Sequence, residues 1–316
     1  SDPVPYAQAL VDNPYAGAWS SGGALNQAKI EMAGGGSQTA GIVAGGDTPP
    51  ATVNTELYNG SSWTETANLN TARTLPMGAG SQTSFVAAGG YAGSGSPASE
   101  TWDGSSWTEI TEMNTVRWAG GSAGADTESF IAFGGNPNTA VTETWNGSAW
   151  TEVSDMNLAR HALAGSGSQT AAIGFGGNVS GPPYKSETEV WNGSSWTEVS
   201  DLNTGRTDVG GAGSSTAALA FGGTITPPRT AKTESWDGSS WTEVADLATD
   251  KASGAGQRGT SASNTSTLYA GGKIPSYTTQ TEEWSFSGLN PATTPAADYS
   301  DAIVGQMYYN STTGQF

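Results

Sequence analysis

The chain contains no cysteine. Disulfides, thiolate nucleophiles and cysteine-ligated metals are therefore outside its chemistry. Histidine occurs once, as His161. Without a second imidazole, zinc and copper sites lose their usual ligands. No Ser-His-Asp set can be assembled around one His in a unit that otherwise repeats without it. Cations are scarce as well: Lys and Arg number 11 against 29 Asp and Glu, for a formal net charge of −18. Duplex nucleic acid or an anionic membrane repels such a chain unless its few cations are gathered in one place. No apolar run approaches the roughly 18 residues needed to span a bilayer, so no membrane insertion is expected. EF-hand-like Asp runs are missing too. These absences predict a protein that is not an enzyme, with no catalytic residue, no metal and no cofactor.

What the chain has in abundance is Gly, 45 residues of 316, together with dense Ser and Thr. Gly and β-branched Thr are both poor helix formers. A hydrophobic content of 35% suits many thin layers, each packed only on its neighbours, better than one round core. The internal repeat is plain. A hairpin segment recurs as TELYNGSSWTE (55–65), ETWDGSSWTE (100–109), TETWNGSAWTE (142–152), TEVWNGSSWTE (188–198) and TESWDGSSWTE (233–243). A Gly doublet recurs at Gly45, Gly89, Gly134, Gly176, Gly222 and Gly271, with spacings of 44, 45, 42, 46 and 49 residues. That period is the length of one four-stranded propeller blade.

Each unit reads as four short strands. Small residues build the first, as in HALAGSG (161–167), and an apolar run ending at the doublet builds the second. The third is T-E-x-aromatic, and an Asn-Gly or Asp-Gly turn leads into the fourth. The first strands are placed nearest the axis, where only Ala and Gly fit. The N-terminal GAWSSGGALNQAK (17–29) aligns with SSWTETANLNTAR (61–73) as a fourth strand without its first three. TEEWSFSG (281–288) is a third strand without its fourth. The two ends complement each other and close the ring without an exposed sheet edge. The predicted fold is an all-β, six-bladed propeller over 17–288, its last blade completed by an N-terminal strand. Residues 1–16 are expected to be a docking or connecting segment. Residues 289–316 are read as a Pro-rich linker with a β-hairpin-like tail. The start at Ser1 rather than Met leaves room for an upstream segment, and the abrupt end at Phe316 for a continuation.

The Gly doublet after an apolar strand, with a Trp about 18 residues later, resembles kelch and galactose-oxidase-type propellers. The copper chemistry of that group needs a Cys cross-linked to a Tyr and His ligands, which this chain lacks. WD40 repeats are set aside because the Asp of Trp102-Asp103 and Trp236-Asp237 sits in the hairpin turn and alternates with Asn. Sialidase Asp-boxes are set aside because Asp103 precedes Trp107 by four positions, not five. Blades of the form TExWNGSSWTEVxDLNTAR…GSQTAALAFGG also resemble virion proteins of marine bacteriophages. The tail GQMYYNSTTGQF (305–316) is similar to short β segments of phage tail fibres. This resemblance implies a virion-surface, extracellular location and a part in host recognition.

Ten positions after each fourth-strand Trp stands a cation: Lys29, Arg73, Arg117, Arg160, Arg206 and Lys251. They are expected to ring one mouth of the channel, on the face where the loops between second and third strands open. Those loops carry Lys185, Arg229, Lys232 and Lys273. Two readings stand side by side. In one, each cation pairs with a third-strand Glu of its own or a neighbouring blade and holds blades together. In the other, the ring is a pocket for an anionic group such as a uronate, sialate or phosphate. The loops on that face vary in length and sequence, whereas the opposite turns stay nearly constant, and variable loops on a rigid scaffold are where specificity usually lives. Tyr91, Tyr184 and Tyr277 offer flat faces suited to sugars, and Trp118 lies off the repeat beside Arg117. The regular Trp pairs are assigned to packing. The T-E carboxylates are assigned to solvated faces and inter-strand pairing, and the Asn-Gly-Ser sequons to turn geometry.

Three functions follow. The first is a non-enzymatic phage surface or tail-fibre-type protein, expected to assemble as a homo-oligomer, that binds host surface glycans and other virion proteins. The second is purely architectural decoration of a capsid or tail. The third is a secreted lectin-like propeller or one with a degenerate glycan-cleaving site, for which Asp208 and Asp250 near the basic ring are the candidates.

Overall fold

The computed structural model describes residues 17–226, 228–256 and 263–286. The expected N-terminal segment, 1–16, and the linker and tail, 289–316, lie outside the described residues. Six four-stranded antiparallel sheets form a six-bladed β-propeller, and no helix occurs among the described residues. Blades 1 to 5 span 33–65, 77–110, 121–153, 164–199 and 210–244. Within each, the strands lie side by side in chain order. Blade 4 is representative, with strands Ala164–Ser168, Ala171–Phe175, Thr188–Trp191 and Trp196–Val199.

Blade 6 takes three strands from 255–285 and its outermost from Ala18–Ser21. Trp19 lies opposite Trp284 and Ser21 opposite Glu282. The pairing continues past the strand, with the Gly22 and Leu25 amides donating to the Thr281 and Thr279 carbonyls at 2.9 and 2.8 Å. The closure read from the aligned ends is the one observed.

First strands pack against the first strands of both neighbouring blades and so surround the axis. Crowding there explains their composition. A Cβ added to Gly165 would come 2.5 Å from the Ser122 amide nitrogen of the adjoining blade, closer than real Cβ contacts allow. Outward from the axis, six separate apolar clusters each sit between two successive blades. The second strand of one blade supplies Phe175, for example, and the fourth strand of the next supplies Trp241, with ring centroids 4.9 Å apart. Burying a side chain of Phe size stabilises by about 1.5–3 kcal/mol. Because every cluster is shared, no blade keeps its own core.

The fourth-strand tryptophans also carry a polar link between blades. The indole N–H of Trp107, Trp196 and Trp241 donates to the hydroxyl of Thr55, Thr142 and Thr188 on the third strand of the preceding blade, at 3.0–3.1 Å. Blade 2 has Ser99 in place of that Thr, and Trp150 donates instead to the Thr111 carbonyl. The hairpin turns follow their composition. Asn59, Asp103, Asn146, Asn192 and Asp237 accept backbone N–H bonds from the residues two and three positions on. These bonds and the two serine hydroxyls hold the exposed Asp103 carboxyl down at about 2.

Candidate binding face

Both Gly of each doublet adopt positive φ, for example 68° at Gly45 and 105° at Gly46, a region that side chains disfavour. This bend lifts the chain off the second strand, and the second Gly anchors it. The Gly46 amide donates to the carbonyl of Arg73 at 2.8 Å, and the same bond joins Gly90 to Arg117, Gly135 to Arg160, Gly177 to Arg206, Gly223 to Lys251 and Gly272 to Lys29. Each cation is thereby tied by its backbone to the blade it leaves.

Its side chain is tied to the blade it enters. Lys29 meets Glu56 at 3.0 Å, Arg117 meets Glu143 and Arg160 meets Glu189 at 3.3 Å, and Arg206 meets Glu234 and Lys251 meets Glu282 at 2.9 Å. Arg73 pairs with Glu100 in the same way. The cations are at most 1% exposed. The arginines also donate to strand carbonyls, as Arg117 does to Val141 at 2.6 Å and Ala132 at 3.1 Å. The other carboxylate oxygen of five of these glutamates is held by the amide and side chain of Asn26, Asn70, Asn114, Asn157 or Asn203, at 2.7–3.0 Å. At blade 6 Ala248 replaces the Asn and only its amide donates to Glu282. Burial pushes Arg117 down to about 10, against the opposing pull of Glu143, which leaves it protonated at neutral pH.

The expected basic ring is therefore an internal one. Lys29, Arg73, Arg117, Arg160, Arg206 and Lys251 present no surface to an anionic ligand. The ten-residue spacing brings each side chain inward, toward a third-strand Glu that is itself buried and needs a countercharge. The pairing alternative describes the observed geometry, and these glutamates are not on a solvated face.

Two residues past each cation lies a second ring. Glu31, Leu75, Ala119, Ala162, Asp208 and Ser253 all have φ of 53–60°. For residues with a Cβ this costs roughly 1–2 kcal/mol each. Compensation comes from a closed circuit of backbone bonds. The amides of Leu75, Ala119, Ala162, Asp208 and Ser253 donate to the carbonyls of Glu31, Leu75, Ala119, Ala162 and Asp208, and the Glu31 amide donates to Ser253. The six distances run from 2.6 to 3.1 Å. The circuit surrounds an axial hollow of about 40 Å³, room for water-sized occupants only.

Two acids break its symmetry. Burial raises Glu31, and burial together with Glu31 raises Asp208 to about 6. Asp208 is half-buried because its remaining surface faces the hollow. Asp250 is exposed and does not join it. No group of three metal-ligating side chains occurs among the described residues.

A larger depression, about 520 Å³, opens between blades 1 and 2. Ligand pockets commonly fall between about 300 and 1,000 Å³. Its walls are the loops after the doublets of these blades, with Asp47 and Pro50 on one side and Tyr91 on the other, and Glu31 and Thr74 form its inner end. Tyr91 is 37% exposed. Behind it stands Trp118, ring centroids 5.3 Å apart. From blade 6, Tyr277 donates its hydroxyl to Asp47 at 2.7 Å, which raises Tyr277 to about 12. Lys273 lies over the Tyr277 ring at 5.9 Å. Thr74 donates to Glu31 at 2.5 Å.

Of the aromatic candidates, Tyr91 thus stands at the depression with Trp118 against it, and Tyr277 reaches its Asp47 from blade 6. Tyr184 belongs to blade 4, across the ring. Asp47, Glu31 and Thr74 were not singled out by sequence; only Asp47 falls in a stretch, 47–54, where repetition breaks down. His161 lies between blades 3 and 4, hydrogen-bonded to Asn138 at 2.5 Å. No protein-family model matches the chain, and no curated protein matches it.

Proposed function

We propose that the protein is a non-enzymatic binding module of a phage-type virion surface, which holds host surface carbohydrate on the loop face of its propeller. One observation carries the reading: on a scaffold of nearly identical blades, a depression of about 520 Å³ sits where the repeats diverge, beside an exposed tyrosine. Rigid scaffolds with variable loops suit recognition, and an aromatic face backed by a second ring suits a sugar. The virion assignment rests on the resemblance of the blades to marine phage proteins. Single-site affinity would be weak, and many copies on one particle convert it to avidity.

A glycan array probed with the protein displayed multivalently on beads tests this reading. Binding that falls when Tyr91 is changed to Ala supports it. A blank array with folded protein sinks it in favour of the architectural role, in which the same face seats another virion protein.

A further inference from the structure

We infer that the depression between blades 1 and 2 selects a sugar carrying no negative charge, bound with its apolar face on Tyr91 and its hydroxyls donating to Asp47 and Glu31. This rests on the carbohydrate reading and specifies its chemistry.

The charges decide the class. Each of the six cations of the repeated slot is paired with a buried glutamate, so none contributes an exposed positive charge to this face. The depression itself holds two carboxylates, Asp47 and Glu31. Their side-chain partners are the neutral hydroxyls of Tyr277 and Thr74. Lys273 is the nearby cation, stationed over Tyr277, and one ammonium against two carboxylates leaves the local balance negative. A uronate or sialate would meet repulsion here, added to that of a chain whose net charge is −18.

Hydroxyl donors meet the opposite situation. An ionised carboxylate has about four acceptor positions, and the tyrosine and threonine each use one. What remains is a set of charge-assisted acceptors, the stronger kind of hydrogen bond, beside an aromatic platform held in place by Trp118. Volume agrees, since about 520 Å³ accommodates a sugar ring whereas the axial hollow does not.

The test is an array of neutral, amino and acidic glycans, read with wild type, Tyr91→Ala, Asp47→Asn and Asp47→Lys, each checked for an unchanged melting temperature. Wild type should bind non-anionic glycans. Tyr91→Ala should weaken that binding roughly three- to tenfold, the equivalent of one aromatic contact. Asp47→Asn should weaken it as well, and Asp47→Lys should shift preference toward uronates. Preferential binding of uronates or sialates by wild type overturns the inference while leaving carbohydrate recognition intact. So does neutral-glycan binding that all three substitutions leave unchanged. Absence of any glycan binding overturns both.

Discussion

The crossovers between blades and the loops after the Gly doublets lie on the same face and use similar residues, yet they have opposite characters. Every crossover repeats one arrangement, a cation whose carbonyl holds the blade behind and whose side chain holds a glutamate of the blade ahead. Every loop is different, and those of blades 1 and 2 border a common depression, with Tyr277 of blade 6 bonded to its Asp47. Regularity around a ring marks what all interfaces need; a ligand site has to break it. A charged residue present six times is therefore a poor candidate for specificity, and Asp47 or Tyr91, whose slot after the doublet holds other residue types in the remaining blades, is a better one.

The largest separation between the two regions should appear in stability. Arg117→Ala strands Glu143 without its countercharge in a buried site and should cost about 3–5 kcal/mol, measurable by chemical denaturation. The pair is not ideal, because the Nε atoms of Arg117, Arg160 and Arg206 find no acceptor. Replacing both partners, Arg117→Met with Glu143→Leu, should recover most of the loss. If the double variant proves as unstable as the single one, the cost lies in the carbonyl contacts of Arg117 and not in its charge.

Next in size is an effect of the axial circuit. The folded-state pKa of Asp208, about 6, lies above its ordinary value of 3.8. The folded protein thus keeps a proton that the unfolded chain has released, and stability declines as pH rises from about 4 to about 6. Asp208→Asn should stabilise on the order of 3 kcal/mol at pH 7 and have no effect near pH 3. Thermal melts across that range provide the check, and a gain that is independent of pH would show that the carboxyl's charge is not the cause.

A smaller gain tests the regularity of the crossovers. Blade 6 lacks the Asn that elsewhere clamps the third-strand Glu, as Asn203 does with Glu234. Ala248→Asn should supply that bond and add about 1 kcal/mol. No gain would mean that Glu282 is set differently from its five counterparts. Smallest of all, Tyr91→Ala should move stability by no more than about 0.5 kcal/mol while removing the aromatic wall of the depression. A large destabilisation would turn Tyr91 from a ligand platform into a structural residue.

Much of this architecture was legible because its determinants are local. The doublets need positive φ, the Asn-Gly turns need a side-chain acceptor, and each signal stands within a few residues of the structure it makes. The clasp was legible because residues 17–29 carry the crossover motif of 61–73, which places a fourth strand at the start of the chain. The cations were legible in position but not in role. Spacing from Trp19 or Trp63 gives the end of the blade, yet says nothing of whether a long side chain turns to solvent or to a glutamate of the next blade. The axial circuit left no trace. Its six positions hold Glu, Leu, Ala, Ala, Asp and Ser, of which Asp alone visits φ near 55° with any frequency, and neighbouring blades impose the conformation. The depression was hidden for a related reason. Asp47 and Tyr91 belong to the loops of successive blades, and only the packing of blade 1 against blade 2 brings them to one opening, while the closing of the ring brings Tyr277 to Asp47.

That backbone circuit at the axis also acts as a tally. Genes built from near-identical repeats are prone to unequal recombination, which gains or loses whole units while keeping every unit intact. Within each sheet such an event would go unnoticed, since strands of one blade pair only with each other. The axis would register it. Each member donates to the one before it, and a circle of five or seven members would have to meet at angles other than those that bring all six donors to 2.6–3.1 Å of their acceptors. A molecule whose parts are almost interchangeable thus still contains, at its axis, a contact whose geometry depends on how many parts there are.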